Sequence, residues 1–472
     1  REREAHTHTH THTRPARLDA LGGARMVASL HVAATHLARL SPPAVAPSYV
    51  LGWGYTWVPW FFMLSAFILT FARLSKLPLS AFSAHSGGAS LSVTVAESAT
   101  FAFKRTASIY PLYAFSVLLA FLQMWYAGSL GALRISALAS QLLLLQAWLP
   151  SEAEHALQPH CWFLSAIIPY WIAHNTMLAV LTRLESKTIT KLLAALSSLP
   201  WLALVVLPMT LGVPFPYEWY AAHPWKSART WRDILVVGLK YHPLFYLHLY
   251  VIGMCLAIVF LRHFTTRPPW IIKNGAILSY GGLALVFAVP GLRPPAHKLL
   301  CRLGGLAPLQ GLLLLGLAVG QDPAARLLRQ PIVQAIGSYS YGVYIFQYQV
   351  LTLWVQAEDT VQIGYWLLLI SVAMVGMHTI QAPLSNPDTF THLLRILTAV
   401  ILTILVVTSF IPDSLRDWVS HTYTRDASSS AGAVAAAVAA LPDVVVMRGG
   451  GGGGRILDMR LKVVLNAVKA FS

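Results

Sequence analysis

Charge is what this chain has least of. Of its 472 residues, 11% are Asp, Glu, Lys or Arg and 56% are hydrophobic, whereas a soluble domain carries roughly 25% charged residues. With a mean hydropathy of +0.59, that balance excludes an ordinary water-soluble enzyme. The 18 carboxylates lie in tails, loops or the ends of apolar runs. Ion-coupled carriers usually keep one inside a span, and here none is placed for that work. Cysteine is scarce too. Cys161, Cys255 and Cys301 form neither a metal-ligand spacing nor a disulfide framework and read as small buried hydrophobes. There is no Walker loop, no H-E-x-x-H and no G-x-S-x-G, so neither a metal nor a tightly bound cofactor is expected. The alternating ~10-residue segments of a transmembrane barrel are missing. So are the matching halves of a common type of carrier.

What is present is a series of long apolar runs, near 18–40, 50–72, 107–127, 135–149, 161–182, 192–212, 242–262, 270–290, 303–320, 335–355, 362–380 and 391–411. Crossing the ~30 Å hydrocarbon core takes ~20 apolar residues as a helix. The expectation is therefore an all-α fold, a polytopic transmembrane bundle of about 10–12 helices over residues 18–411. The run 135–149 would reach only ~22 Å as a helix, so it is expected to dip into the membrane without crossing. Residues 73–105 read as a polar loop. Residues 1–17, with His6, His8, His10 and His12 alternating with Thr, read as a disordered tail. Residues 412–472, with a glycine run at Gly449–Gly454 and a short basic amphipathic end, read as a flexible one. The chain opens at Arg1 rather than Met, as a piece of a longer protein would, and no cleavable leader is visible.

The net charge of +16 would suggest nucleic acid in a soluble protein. Here the bases flank apolar runs, so they read as signals of membrane orientation, and no nucleic-acid partner is expected. With a cytoplasmic N-terminus and no crossing by 135–149, Arg73, Lys76, Lys104, Arg105, Arg183, Lys187, Lys191, Arg262, Arg267, Lys273, Arg326 and Arg329 fall inside. Glu152, Glu154, Glu358 and Asp359 fall outside. The basic loops 213–241 and 291–302 run against this rule. Whether the membrane is plasma or internal is left open.

Chemistry concentrates in the first run, Arg25 to His36, which carries one arginine and two histidines in an otherwise apolar stretch. Ionisable groups inside a span are costly and mark function. Eleven residues at ~100° each return His36 to within ~20° of Arg25, ~16 Å along the axis. His31 points elsewhere and reads as packing or a helix-to-helix hydrogen bond. A guanidinium grips phosphate or carboxylate through paired hydrogen bonds, and an imidazole serves as general base or nucleophile. The same pair also reads structurally, as a hydrogen bond to a neighbouring helix and a snorkelling arginine. Lys104 and Arg105 stand at the start of the run 107–127, where topology and headgroup contact are the ordinary role. His242 and His248 read as interfacial hydrogen-bonding groups, and Ser65 and Ser165 as hydroxyls bonded within the bundle.

Several motifs occur in order. Leu21 through His36 contains Arg25, ten residues, then His36. Trp60-Phe61-Phe62-Met63-Leu64-Ser65-Ala66-Phe67 follows, and then Lys104-Arg105-Thr106-Ala107-Ser108-Ile109-Tyr110-Pro111-Leu112-Tyr113. Trp162-Phe163-Leu164-Ser165, Tyr339 through Gln347 and Ile380-Gln381-Ala382-Pro383 complete the set. Over about residues 18–384 this order resembles the membrane acyltransferase-3 family, which includes glycan O-acetylases. The resemblance implies a bundle of about ten helices that transfers an acyl group, commonly acetyl, from acyl-CoA to a hydroxyl of a glycan or lipid-linked acceptor. It implies His36 and Arg25 as catalytic residues, with Arg25, Arg105 and Lys104 toward the phosphate-rich donor. The chain departs from the family's pattern at Ser108 (for Arg), at Ala166-Ile167 (for acids), at Tyr246 and Leu249 (for Arg and Glu) and at Gln347 (for His). An organic-anion carrier and an inactive relative are the competing expectations. No carboxylate near His36 in sequence is available to orient its ring.

Overall fold

A computed structural model describes residues 18–40, 48–76, 95–126, 133–149, 152–153, 155–211, 231–265, 267–292, 297–354 and 362–381. The two expected tails and the run 391–411 lie outside the described residues. Every regular element described is helical. The longer helices are α1 (Asp19–Leu40), α2 (Trp57–Leu74), α3 (Val95–Tyr126), α4 (Ile135–Leu142), α5 (Trp162–Leu181), α6 (Ser186–Leu211), α7 (Trp231–Tyr241), α8 (Leu247–Val259), α9 (Gly275–Ala288), α10 (Ala307–Val319), α11 (Pro323–Leu328), α12 (Pro331–Gly337), α13 (Ser340–Trp354) and α14 (Gln362–Gly376). Among the described residues, six helical segments are long and apolar enough to cross a bilayer, and Gly275–Ala288 and Leu368–Gln381 are shorter apolar helices. The chain is a multi-pass helical membrane protein. α6 shows its lipid face directly, since only 6% of its apolar window is buried and Trp201, Leu202, Val205, Val206 and Met209 are exposed.

Helix α1 stands between two cores. Ala20, Ala24, Ala28 and Val32, four residues apart, pack into the core built by α2, α5, α8 and α10. Met26 and Ala33, seven apart, pack into the core of α3, α13 and α14. Both spacings are those of a helix face, and the small side chains let neighbouring backbones approach closely. Gly23 shows how closely. A Cβ there would sit 2.5 Å from the Leu328 carbonyl oxygen. Gly253 of α8 lies in the same way against the Met63 backbone of α2.

Three expectations about boundaries are corrected. The loop expected over 73–105 is helical from Val95 onward: Glu97 favours the helix N-terminus electrostatically and Ser98 and Ala102 bury one face. Pro111 sits inside the helix. The run 303–320 is broken before α10, where Gly304 takes φ 95°, and the run 335–355 divides into α12 and α13.

The stretch 135–149 is a short helix followed by a turn. Its helix has eight residues, ~12 Å of length, and Leu144 then turns the chain at φ 55°. Irregular backbone inside a membrane must find its partners in protein, and here it does. Tyr113 Oη donates to the Gln141 carbonyl at 2.6 Å, Tyr110 Oη to that of Leu142 at 2.9 Å, and the Ala147 amide to Ser165 Oγ at 3.1 Å.

Topology agrees with this. Tyr341 Oη donates to the Ile109 carbonyl and Gln349 Nε2 to that of Ser116, so α3 and α13 run parallel. The Ser116 hydroxyl also meets Gln158, and Phe101 stacks on His174, so α5 runs antiparallel to α3. The connection between them therefore begins and finishes on the same side. The opposite end gathers bases. Arg262 donates to the Thr182 and Leu184 carbonyls, both at 2.9 Å, and caps α5.

Candidate functional site

Arg25 and His36 project from α1 onto α13. Arg25 Nε donates to Ser340 Oγ at 2.7 Å, and its Nη2 lies 3.5 Å from the Gly337 carbonyl. His36 Nδ1 meets Gln347 Oε1 at 2.9 Å. The two contacts advance together along both helices, so α1 and α13 run parallel and the two residues share one face, as the eleven-residue spacing requires.

The protonation pattern of His36 follows from its partner. Gln347 Nε2 donates to the Tyr344 carbonyl at 2.9 Å, which turns its Oε1 toward the imidazole. A carbonyl oxygen only accepts. His36 Nδ1 therefore carries a hydrogen, and in the neutral ring Nε2 is the lone-pair nitrogen. The ring is set edge-on to Tyr348, with centroids 4.9 Å apart, and to His160, at 6.4 Å.

Arg25 is half-buried, and both of its partners are neutral. Among the described residues no carboxylate pairs with it. It lies at the first turn of α13, where amides not yet paired within the helix favour negative charge. A fixed cation so placed, without a counter-ion, suits an anionic ligand.

Lys104 and Arg105 do not join this pair. Both are exposed on α3, and the Arg105 guanidinium lies over the Phe101 ring at 5.7 Å. Deeper on α5, His174 Nδ1 meets Tyr250 Oη at 3.0 Å. Ser108 Oγ turns back onto the Arg105 carbonyl at 2.7 Å.

His31, His242, His248 and Ser65 make hydrogen bonds within the bundle. Trp57 Nε1, which can only donate, meets His31 Nδ1 at 2.9 Å, and His31 Nε2 meets the Val50 carbonyl at 2.9 Å. This is the helix-to-helix hydrogen bond expected of His31. His248 Nε2 reaches the Leu303 carbonyl at 3.0 Å. His242 Nδ1 accepts the Leu244 amide at 3.3 Å, and burial holds its pKa below the ordinary imidazole value. Ser65 Oγ accepts from Trp171 Nε1 at 3.4 Å. Cys161, Cys255 and Cys301 are free thiols, all buried. Among the described residues, no group of three or more His, Cys, Asp or Glu gathers.

Two features of the site had little or no sequence signal. Gln347 stood out as a departure from a motif, but its role as the partner of His36, 311 residues away, did not. His160 carried only the weak signal of a polar residue at the mouth of an apolar run. Comparison of the chain with protein-family models, with curated proteins and with solved structures returned no match. The class that the fold defines is a multi-pass helical membrane protein with an imidazole and a guanidinium on one face of one internal helix, the guanidinium having no carboxylate partner among the described residues.

Proposed function

We propose that this protein is an integral-membrane O-acyltransferase of the acyltransferase-3 type, moving an acyl group, commonly acetyl, from acyl-CoA to a hydroxyl of a glycan or lipid-linked acceptor. The observation that carries the reading is the Gln347 contact, which leaves His36 Nε2 as a base on the same helix face as an uncompensated Arg25. In the reaction, the acceptor hydroxyl passes its proton to His36 Nε2 as its oxygen attacks the thioester carbonyl. The carbon–sulfur bond breaks, and the departing CoA thiolate recovers the proton from the imidazolium. Arg25 and the first turn of α13 hold the donor's phosphates. The ~16 Å rise between Arg25 and His36 is comparable to an extended pantetheine arm, so phosphates at one residue leave the thioester near the other. Arg105 and Lys104 contribute positive charge at the same end of the bundle, where phosphates would first arrive.

The test is acyl-CoA turnover by purified protein in vesicles with labelled acetyl-CoA, comparing wild type, His36→Ala and Arg25→Ala. Wild type should release CoA and transfer label, and His36→Ala should do neither while remaining folded and inserted. Equal turnover by wild type and His36→Ala refutes the mechanism. Movement of label across the vesicle without CoA release points instead to an anion carrier.

A further inference from the structure

The basic end of the bundle carries a surface that acyl transfer does not use. Three short helices lie there, Trp270–Lys273, α11 and α12, of four, six and seven residues. At ~1.5 Å per residue none exceeds about 11 Å, so none crosses a bilayer. A buried carboxylate joins them. Asp322 accepts from the Ala325 amide of α11 and from the Ala276 and Ile277 amides just after Trp270–Lys273. Packing on α1 fixes α11 and α12 further. The Leu328 carbonyl and Val333 lie against Gly23, and the Gly337 carbonyl meets Arg25. The surface is therefore preformed.

Its outward side combines two kinds of residue. Trp270, Leu327 and Ile332 are each more than half exposed, and Lys273, Arg326 and Arg329 are exposed beside them. Among the described residues none of these three bases pairs with a carboxylate. Asp322 is the only acid between Asp233 and Glu358, and it is buried with its oxygens taken by amides. Bulky apolar side chains flanked by unpaired bases suit the negatively charged surface of a leaflet: the apolar groups enter the acyl region and the bases meet phosphates. The start of α6 gathers as many bases, Arg183, Lys187 and Lys191. It differs in including the exposed acid Glu185 and in showing no large exposed apolar residue between Val180 and Leu199.

We infer that this surface binds anionic phospholipid of the leaflet at the basic end, with Lys273, Arg326 and Arg329 holding headgroup phosphates and Trp270, Leu327 and Ile332 lying among the acyl chains. The partner is a lipid selected by its charge, as distinct from the bulk bilayer. Lipid binding here does not require acyl transfer.

The experiment reconstitutes the full chain in vesicles of equal parts phosphatidylglycerol and phosphatidylcholine, extracts it into neutral detergent at low salt, and counts the lipids that stay bound by mass spectrometry. Wild type should retain phosphatidylglycerol ~5–30-fold over phosphatidylcholine, the increment of one or two bases beside an anionic headgroup. Washing at high salt should remove most of that excess. The triple variant Lys273→Gln, Arg326→Gln and Arg329→Gln should retain the two lipids about equally. Arg183→Gln, Lys187→Gln and Lys191→Gln together remove the same charge and should leave the preference intact. Equal retention by wild type overturns the inference and leaves the surface to a protein partner. Any other pattern of loss between the two variants overturns it too, because the preference then follows overall charge or another site. A preference that survives high salt likewise overturns a site built of surface bases. If the triple variant does not fold, its three single substitutions decide by the same comparison.

Discussion

Replacing Gln347 by Leu tests the proposed chemistry at its most specific point. Gln347 is fully buried, and Leu is of similar size, so packing changes little. The change removes the oxygen that accepts from His36 Nδ1 at 2.9 Å. The imidazole is left with two poor choices. It can keep its hydrogen on Nδ1 facing an apolar side chain, or move it to Nε2 and lose the base that faces the acceptor. An unmet buried donor costs about 1–3 kcal/mol, and each 1.36 kcal/mol is tenfold in rate. The expected result is a fall in kcat of ~10–100-fold. The KM for acyl-CoA should stay constant, because Arg25 is bound to Ser340 rather than to Gln347. Gln347→Asn should fall similarly, since a side chain one methylene shorter does not reach both His36 and the Tyr344 carbonyl. Steady-state kinetics on protein of verified thermal stability reads the outcome. Wild-type kcat in Gln347→Leu would refute the claim that Gln347 sets the state of His36.

Other outcomes test the remaining parts of the structure. Arg25→Ala should raise the KM for acyl-CoA ~10–100-fold through loss of charge-assisted bonds, and an unchanged KM places the donor elsewhere. Asp322 accepts from the Ala325, Ala276 and Ile277 amides at 2.7, 2.8 and 3.2 Å and so ties the starts of α11 and α9 together. Asp322→Ala should cost about 2–4 kcal/mol in thermal unfolding, and Asp322→Asn less. Gly253→Val drives a side chain into the Met63 backbone and should abolish the monodisperse peak in size-exclusion chromatography; a normal peak would show that α2 and α8 can separate. Trp57→Phe leaves His31 Nδ1 without its donor and should cost about 1–3 kcal/mol of stability with acyl transfer unaltered.

Composition and periodicity alone determined the class of fold. Apolar runs of about twenty residues can only be helices in a bilayer, and the shortness of 135–149 already pointed to a segment that turns back. The face shared by Arg25 and His36 was equally legible, because helical period is a local property. The start of α3 was not legible, since the stretch 73–105 reads as a polar loop until the buried face at Ser98 and Ala102 is known. The partner of His36 was beyond local reasoning as well. Gln347 reads as a lost histidine until α13 is laid parallel to α1, and only then does its amide oxygen meet Nδ1. His160 joins the site by the same route, through a helix that starts beside the end of α1. Helical period acts over a few turns, while the contacts that orient an imidazole are chosen by packing between segments hundreds of residues apart, and those only the tertiary structure decided.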